Sequence, residues 1–124
     1  MDERRILVAY DGSEAAFRAL EQAAEAAQAR DGEVDLVVVR GPDIEDAEGL
    51  GMEAATYLFE HGFEPAVHVL RGDPATVIRS LAEDEGYEAI YLGTRGHLAH
   101  VLEPGASVSA AVVERAPVTT VVAR

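Results

Sequence analysis

Short apolar runs alternate with amphipathic stretches along the whole chain, and this alternation restricts the fold more than any other feature of the sequence. Runs rich in β-branched residues predict buried strands at 6–10, 34–39, 66–70, 89–92 and 118–123. Between these runs, apolar residues recur at helical spacing. Strands that are each followed by a helix form a parallel sheet with right-handed crossovers and helices on both faces. The sequence therefore predicts a single three-layer α/β domain over residues 1–124.

Capping residues and helix breakers set the bounds of four predicted helices. Ser13 and Asp73 are good N-caps, and Pro74 suits the first helical position. Gly62 is a natural C-terminal stop. The helices are predicted to run from Ser13 to about Ala29, from Asp43 to Gly62, from Asp73 onward, and from Ser107 to Arg115.

The second of these helices is the least regular. Asp43 follows Gly41-Pro42 and is expected to cap it. Its apolar side is predicted to include Leu58 and Phe59, while two glycines weaken its middle.

The composition is that of a globular protein without disulfides. Of 124 residues, 48% are hydrophobic and none is cysteine. No run approaches the ~20 apolar residues of a membrane-spanning helix, and the apolar run after Arg5 is too short for a signal peptide. We expect a cytoplasmic protein.

The charge is strongly negative, and this restricts the partners. The formal net charge is −13, and every basic residue other than histidine is arginine. Without a basic face to neutralise phosphates, neither nucleic acid nor an anionic membrane is an expected partner. Carboxylates in such excess repel one another unless counterions screen them. Adaptation to a salty cytoplasm is therefore favoured over an ordinary acidic protein.

A glycine-containing loop follows the predicted fourth strand. The strand leads into Gly93-Thr94-Arg95-Gly96, and nine residues later Ala106-Ser107-Val108-Ser109 opens the predicted fourth helix. Glycines let backbone N–H groups approach an anion, and a helix N-terminus adds unpaired donors. This layout favours a phosphate site. The glycines could instead supply positive φ angles for a turn, and Ser107 could act as an N-cap.

Four segments in order give the chain a resemblance to the universal stress protein family. They are residues 6–14, Gly-Asp-Pro-Ala at 72–75, Gly-Thr-Arg-Gly at 93–96, and Ala-Pro-Val-Thr-Thr-Val-Val at 116–122. The loop is close to the family signature Gly-x2-Gly-x9-Gly-Ser/Thr, except that Ala106 stands at the third glycine. The resemblance covers essentially the whole chain.

The resemblance implies strand order 3-2-1-4-5 and a homodimer formed through the last strand, 118–123. Some members bind ATP and others do not. In that order the first and fourth strands are neighbours whose connections diverge, and ligands of open α/β sheets bind beyond such strand ends. Asp11 and Gly93 should therefore border one cleft.

A nucleotide site follows from the resemblance, residue by residue. Asp11 would accept hydrogen bonds from the ribose, Ala9 and Val39 would lie beside the adenine, and Ser107 would bind phosphate. Asp11 could instead be an N-cap, and Ala9 and Val39 could be ordinary core residues. The predicted site consists of Ala9, Tyr10, Asp11, Val39, Gly93, Thr94, Arg95, Gly96, Gly105, Ala106, Ser107, Val108 and Ser109.

Two residues near the third glycine position bear on ATP binding. The methyl group of Ala106 crowds a phosphate or costs about 1 kcal/mol where φ is positive, although Gly105 could shift the loop and restore the opening. Glu103 brings a carboxylate near any polyphosphate, and Arg95 is the only nearby guanidinium. We therefore expect ATP to bind together with Mg²⁺.

Three functions agree with these residues. The first is a nucleotide-binding regulatory module without enzymatic activity. The second is a dimeric interaction protein of the stress response that binds no nucleotide, and the third is a slow ATPase. No general base is placed to activate water, so turnover is not expected. His97 and His100, three residues apart, lack the further ligands that a zinc site needs.

Salt dependence tests the interpretation of the charge. The melting temperature should rise as KCl is increased from low to molar concentration, because screening weakens repulsion among the excess carboxylates. Thermal unfolding followed by circular dichroism measures this. An unchanged melting temperature across that range would contradict salt adaptation.

Overall fold

A computed structural model describes residues 4–42, 44–93 and 119–123. In chain order these form β1 (Arg5–Ala9), α1 (Glu14–Arg30), β2 (Glu33–Arg40), α2 (Ala47–Glu60), β3 (Val67–Arg71), α3 (Pro74–Glu85), β4 (Ala89–Gly93) and β5 (Thr119–Ala123). The predicted fourth helix and Val118 lie outside the described residues. No helix in the described part of the chain is long and apolar enough to cross a membrane.

The five strands form one parallel sheet in the order β3-β2-β1-β4-β5, as predicted. Strand β1 lies at the centre, where Val8 is paired with Leu36 on one side and Tyr91 on the other. Its side chains from Ile6 to Ala9 are fully buried. This burial on both faces explains why the strand is a continuous apolar run.

Helices cover the two faces of the sheet unequally within the described residues. Alternate strand residues such as Val8 and Leu36 pack against α1 and α2. The residues between them, such as Leu7 and Val37, pack against α3 through Ile78 and Ala82. The period of two along a strand assigns successive side chains to opposite faces. Helices on both faces are therefore confirmed.

Most of the predicted caps are confirmed. Ser13 caps α1 and accepts a hydrogen bond from the Ala16 N–H, while Asp73 caps α3 with Pro74 in its first turn. Helix α1 ends at Asp31, which takes up the left-handed conformation (φ 56°), and Gly32 donates to the Ala27 carbonyl.

Two expectations for the second helix are wrong. Its N-cap is Asp46, whose carboxylate accepts from the Gly49 N–H at 2.9 Å, and not Asp43, which lies outside the described residues. Phe59 is 59% exposed and does not belong to the buried side. The buried side of α2 instead includes Gly51, where a Cβ atom would lie 2.7 Å from the Val67 side chain, so the missing side chain lets the helix approach β3.

A buried carboxylate joins three segments at the amino ends of the strands. Asp35 of β2 accepts from the Ala66 N–H at 2.8 Å and from the Tyr87 hydroxyl at 2.6 Å. His68 lies 3.3 Å from the same hydroxyl, and the Arg5 guanidinium lies over the Tyr87 ring. Burial, followed by the bond to Asp35, raises the pKa of Tyr87 above its ordinary value of 10.0. Asp35 thus fixes both the start of β3 and the segment before β4.

Replacing Tyr87 with phenylalanine tests this network. Tyr87→Phe removes one of the two bonds to the buried Asp35 carboxylate and should lower the free energy of unfolding by about 1 to 2 kcal/mol. Urea denaturation at neutral pH measures the change. Tyr57→Phe is the control, because it removes a half-buried tyrosine hydroxyl outside the network. An equal loss in both variants would contradict a specific role for Asp35.

The wild type and Tyr87→Phe should also differ in how their stability depends on pH. Because folding raises the pKa of Tyr87, the folded protein holds this proton more tightly than the unfolded chain does. The contribution of Tyr87 to the free energy of unfolding is therefore fully present below pH ~10, and it falls as the pH rises above that value. This fall should be shallower in Tyr87→Phe than in the wild type.

Candidate functional site

The turn between β1 and α1 is built around Asp11. This residue is only 3% exposed, and its carboxylate accepts from the Ser13 N–H at 3.0 Å and from the Ser13 hydroxyl at 2.6 Å. The Ser13 Oγ in turn accepts from the Ala16 N–H at 3.1 Å. Ser13 is thus the N-cap, and Asp11 orients its hydroxyl. The alternative in which Asp11 is itself the helix cap is wrong.

Gly12 has two reasons to lack a side chain. Its φ of +84° lies in the left-handed region, where L-residues with a Cβ are strained. A Cβ there would also lie 2.9 Å from Cδ2 of Leu50 on α2. The turn that carries Asp11 is therefore in close contact with α2.

Gly93 lies against the first turn of α1. A Cβ on this residue would lie 2.6 Å from the Ala15 carbonyl carbon and 2.6 Å from the Ala16 nitrogen. Since both are backbone atoms, neither can move aside without shifting the helix. Its φ is not among the positive glycine angles. Close packing, which neither sequence interpretation considered, therefore requires glycine here.

The strand order brings Asp11 and Gly93 to the same end of the sheet. Val8 is paired with Tyr91, and the two residues follow this pair closely on neighbouring strands. From this end, the connection after β1 leads through α1 to β2, on one side of the β1–β4 pair. The connection after β4 leads to β5, on the other side. A crevice between diverging connections is where open α/β sheets bind ligands.

A cavity of about 590 Å³ opens beside Asp11. Its wall is the connection between β2 and α2. The described lining residues are Asp11, Gly12, Pro42, Ile44, Glu45, Asp46 and Leu50. Its volume is within the usual range for small-molecule sites.

The electrostatics of this cavity are negative. Asp11, Glu45 and Asp46 are acidic, and none of the lining residues just named is basic. Arg40, at the end of β2, forms an ion pair with Glu48 in the first turn of α2. This pair links the two ends of the β2–α2 connection. The described carboxylates that line the cavity would repel an anionic ligand.

The side chain of Tyr10 lies on the face of the sheet that α1 and α2 cover. Its side chain is 2% exposed and packs in the core beneath α1 and α2. Its hydroxyl donates to the Glu53 carboxylate of α2. Burial, then this hydrogen bond and the charges of Glu53 and Asp11, raise the pKa of Tyr10 above its ordinary value. The hydroxyl thus stays protonated and ties β1 to α2.

Ala9 and Val39 lie together on the other face of the sheet. Ala9 is fully buried and Val39 is 6% exposed, and both belong to the core beneath α3. This is the face opposite to the Tyr10 side chain. The structure thus assigns Ala9 and Val39 to one side of the crevice and Tyr10 to the other.

The remaining predicted site residues lie outside the described residues. They are Thr94, Arg95, Gly96, Gly105, Ala106, Ser107, Val108 and Ser109, and His97 and His100 lie there as well. Within the described ranges, no group of three or more His, Cys, Asp or Glu residues could hold a metal ion.

Sequence reasoning missed the residues that the β2–α2 connection contributes. Ile44, Asp46 and Leu50 line the cavity, although Leu50 lies far from Asp11 along the chain. The sequence predicts Ser13 as a helix start, but it does not predict the hydrogen bond from Ser13 to Asp11. The Asp-Gly-Ser order was the available signal, because an Asp often accepts from the backbone two residues on.

The model of the universal stress protein family matches residues 3–124. No curated protein matches the sequence.

Several solved structures share the fold over nearly the whole chain. A universal stress protein in complex with cAMP has a TM-score of 0.80 at 19% identity, with 100% of this chain and 98% of that chain covered. The universal stress protein from Archaeoglobus fulgidus in complex with dAMP has a TM-score of 0.75 at 26% identity, with 100% of both chains covered. A universal stress protein from Archaeoglobus fulgidus DSM 4304 has a TM-score of 0.77 at 31% identity, with 99% of this chain but 44% of that chain covered.

Proposed function

Because the chain belongs to the universal stress protein family, we propose that it is a regulatory stress-response module that binds an adenine nucleotide beyond the carboxyl ends of β1 and β4. The nucleotide we propose is ATP together with Mg²⁺. The activity is binding without turnover. A cytoplasmic location belongs to the same proposal and stays a prediction from the sequence.

Asp11 is the observation that carries this proposal. A carboxylate that is 3% exposed at the end of the central strand must keep its acceptors satisfied. Its carboxylate accepts both bonds from Ser13, and the residue also lines the cavity. A carboxylate held in this way is a rigid acceptor for the hydroxyl groups of a ribose.

The relatives support an adenine nucleotide as the ligand class. The Archaeoglobus fulgidus protein with full mutual coverage was solved with dAMP. By the family pattern, Ala9 and Val39 would lie beside the base, while Gly96, Gly105 and Ser107 would bind phosphate. The adenine would then lie on the α3 face of the sheet.

The acidic cavity supports Mg²⁺ as a companion of the nucleotide. Asp11, Glu45 and Asp46 would repel the phosphates of free ATP. Mg²⁺ is held by carboxylates together with substrate phosphates rather than by cages made of protein alone.

Nucleotide binding can be tested by calorimetry with Mg-ATP. Asp11→Asn should weaken binding about tenfold, because the ribose loses a charged acceptor. Ala106→Gly should tighten binding up to about fivefold, because it removes the methyl group that crowds the phosphate. Purified protein should also release an adenine-type absorbance on denaturation.

Asp84→Asn is the matched control for Asp11→Asn. It makes the same chemical change at an exposed position in the last turn of α3, at the opposite end of the sheet from Asp11, and should leave nucleotide affinity unchanged. Melting temperatures without ligand separate a loss of folding from a loss of binding. No heat of binding and no thermal shift with millimolar Mg-ATP would sink the proposal in favour of a dimeric interaction protein. Time-dependent formation of ADP would instead establish an ATPase.

We also propose a homodimer formed through β5. This strand is an edge of the sheet, and Val122 on it is 36% exposed. An apolar edge strand is a template for pairing with a second copy.

Light scattering tests the dimer. The wild type should have the mass of two chains, and Val122→Glu should shift it toward one, because a charge at the paired edge opposes association. Val67→Glu is the control, since Val67 is 39% exposed on the opposite edge strand, β3. A wild-type monomer at high concentration, or dissociation by Val67→Glu alone, would contradict the proposal.

A further inference from the structure

A long groove runs between α1 and α2 on the outer side of the domain. It consists of two adjoining depressions of about 460 and 380 Å³. Both are lined by Arg18 and Glu21, so they form one continuous surface. We call this surface the α1–α2 groove. Of the predicted nucleotide-site residues, Tyr10 lines one depression, whereas Ala9, Asp11 and Val39 line neither.

Part of the groove wall is aromatic, with Phe17 from α1 and Tyr57 from α2. The rings of Phe17 and Tyr57 meet edge to face with centroids 5.1 Å apart, and the His61 ring stacks on Tyr57 at 4.1 Å. His61 Nδ1 is 2.8 Å from the Tyr57 carbonyl oxygen, so it carries a proton and donates to it. Gln28 of α1 donates to the His61 carbonyl at 3.1 Å. These bonds hold the rings in place across the seam between the helices.

The rim of the groove is acidic. Four carboxylates, those of Glu14, Glu21, Glu25 and Glu53, line the two depressions, whereas Arg18 is the single guanidinium among the described lining residues. The pKa of Tyr57 is raised first by burial and then by the charges of Glu21 and Glu25. Glu21, Glu25 and Tyr57 also line the same depression, so the two carboxylates lie close to the ring.

The spacing of the carboxylates suits an extended cation. Glu21 and Glu25 are four residues apart on one helix, which is a rise of about 6 Å. Like charges at this spacing destabilise a helix, so a ligand that neutralises both would relieve a repulsion. Two ammonium groups joined by four methylenes are also about 6 Å apart, given bonds of about 1.5 Å. Such a chain would lay its methylenes on the rings while its ammonium groups meet the carboxylates.

We propose that the α1–α2 groove binds a linear polyamine, with its ammonium groups at Glu21 and Glu25 and its methylene chain along Phe17 and Tyr57. This site goes beyond the proposed nucleotide binding and does not depend on it. A single inorganic ion does not fit, because no group of acids and histidines among the described residues could hold a metal. A monovalent cation would leave part of the charged rim unmatched.

A basic protein segment is the other conceivable occupant. The two depressions, of about 460 and 380 Å³, each lie within the volume range that is usual for small-molecule sites. The rings also lie along a narrow seam between two helices. The observations thus favour the small polyamine.

Calorimetry with spermidine and the full chain, free of nucleotide and at low salt, tests the proposal. Glu21→Gln/Glu25→Gln should weaken binding about tenfold through the loss of two exposed ion pairs. Glu83→Gln/Asp84→Asn is the matched control, because it removes the same charge from exposed positions on α3 and should leave the affinity unchanged.

The aromatic wall is tested with Tyr57→Leu and Tyr57→Phe. The first removes the ring and should weaken binding severalfold, whereas the second keeps the ring and should retain it. In the wild type, spermidine should shift the ring proton resonances of Phe17 and Tyr57. Since none of these measurements uses nucleotide, their outcome is separate from that of the Mg-ATP experiments.

Three results would overturn the proposal. Equal weakening by the α3 control would mean that spermidine binds the diffuse negative charge of the protein. Equally effective competition by MgCl₂ at matched ionic strength would mean the same. Tighter binding of an oligolysine peptide, with the same dependence on Glu21 and Glu25, would reassign the groove to a basic protein partner.

Discussion

The burial of β1 on both faces and both edges is the constraint on which the rest of the structure depends. Its side chains from Ile6 to Ala9 are fully buried, and it is paired with β2 and β4. Helices α1 and α2 pack on one of its faces and α3 on the other. Because the strand cannot shift, the residues that follow it are held in place, and Asp11 occupies a fixed position at the mouth of the sheet.

Most of the fold could be predicted from the sequence because its signals are local. Ser13 and Asp73 cap their helices through bonds to N–H groups three residues on, which the sequence displays directly. Neighbouring residues alone do not decide whether Asp43 or Asp46 caps α2. The cap depends on where α2 can approach the sheet, and the missing side chain of Gly51 opposite Val67 allows that approach. A contact between distant segments leaves no periodic pattern to detect.

The site was predicted in outline and missed in detail for the same reason. The meeting of Asp11 and Gly93 follows from strand order, which the family resemblance supplied. The contribution of Leu50 does not, because it arises when α2 packs over the β1–α1 turn. The hydroxyl of Ser13 donates to Asp11, while its oxygen accepts from the Ala16 N–H. This arrangement could likewise be seen only in the folded geometry.

The contact of Gly93 with the α1 backbone changes how glycine motifs should be interpreted when proteins of this fold are sorted into those that bind a nucleotide and those that do not. The first glycine of the loop is needed for strand β4 to pass the helix at all. A protein that had lost its ligand would therefore keep this residue under the same packing constraint. Its presence carries information about architecture, and the later positions of the motif are the ones that can report on the ligand.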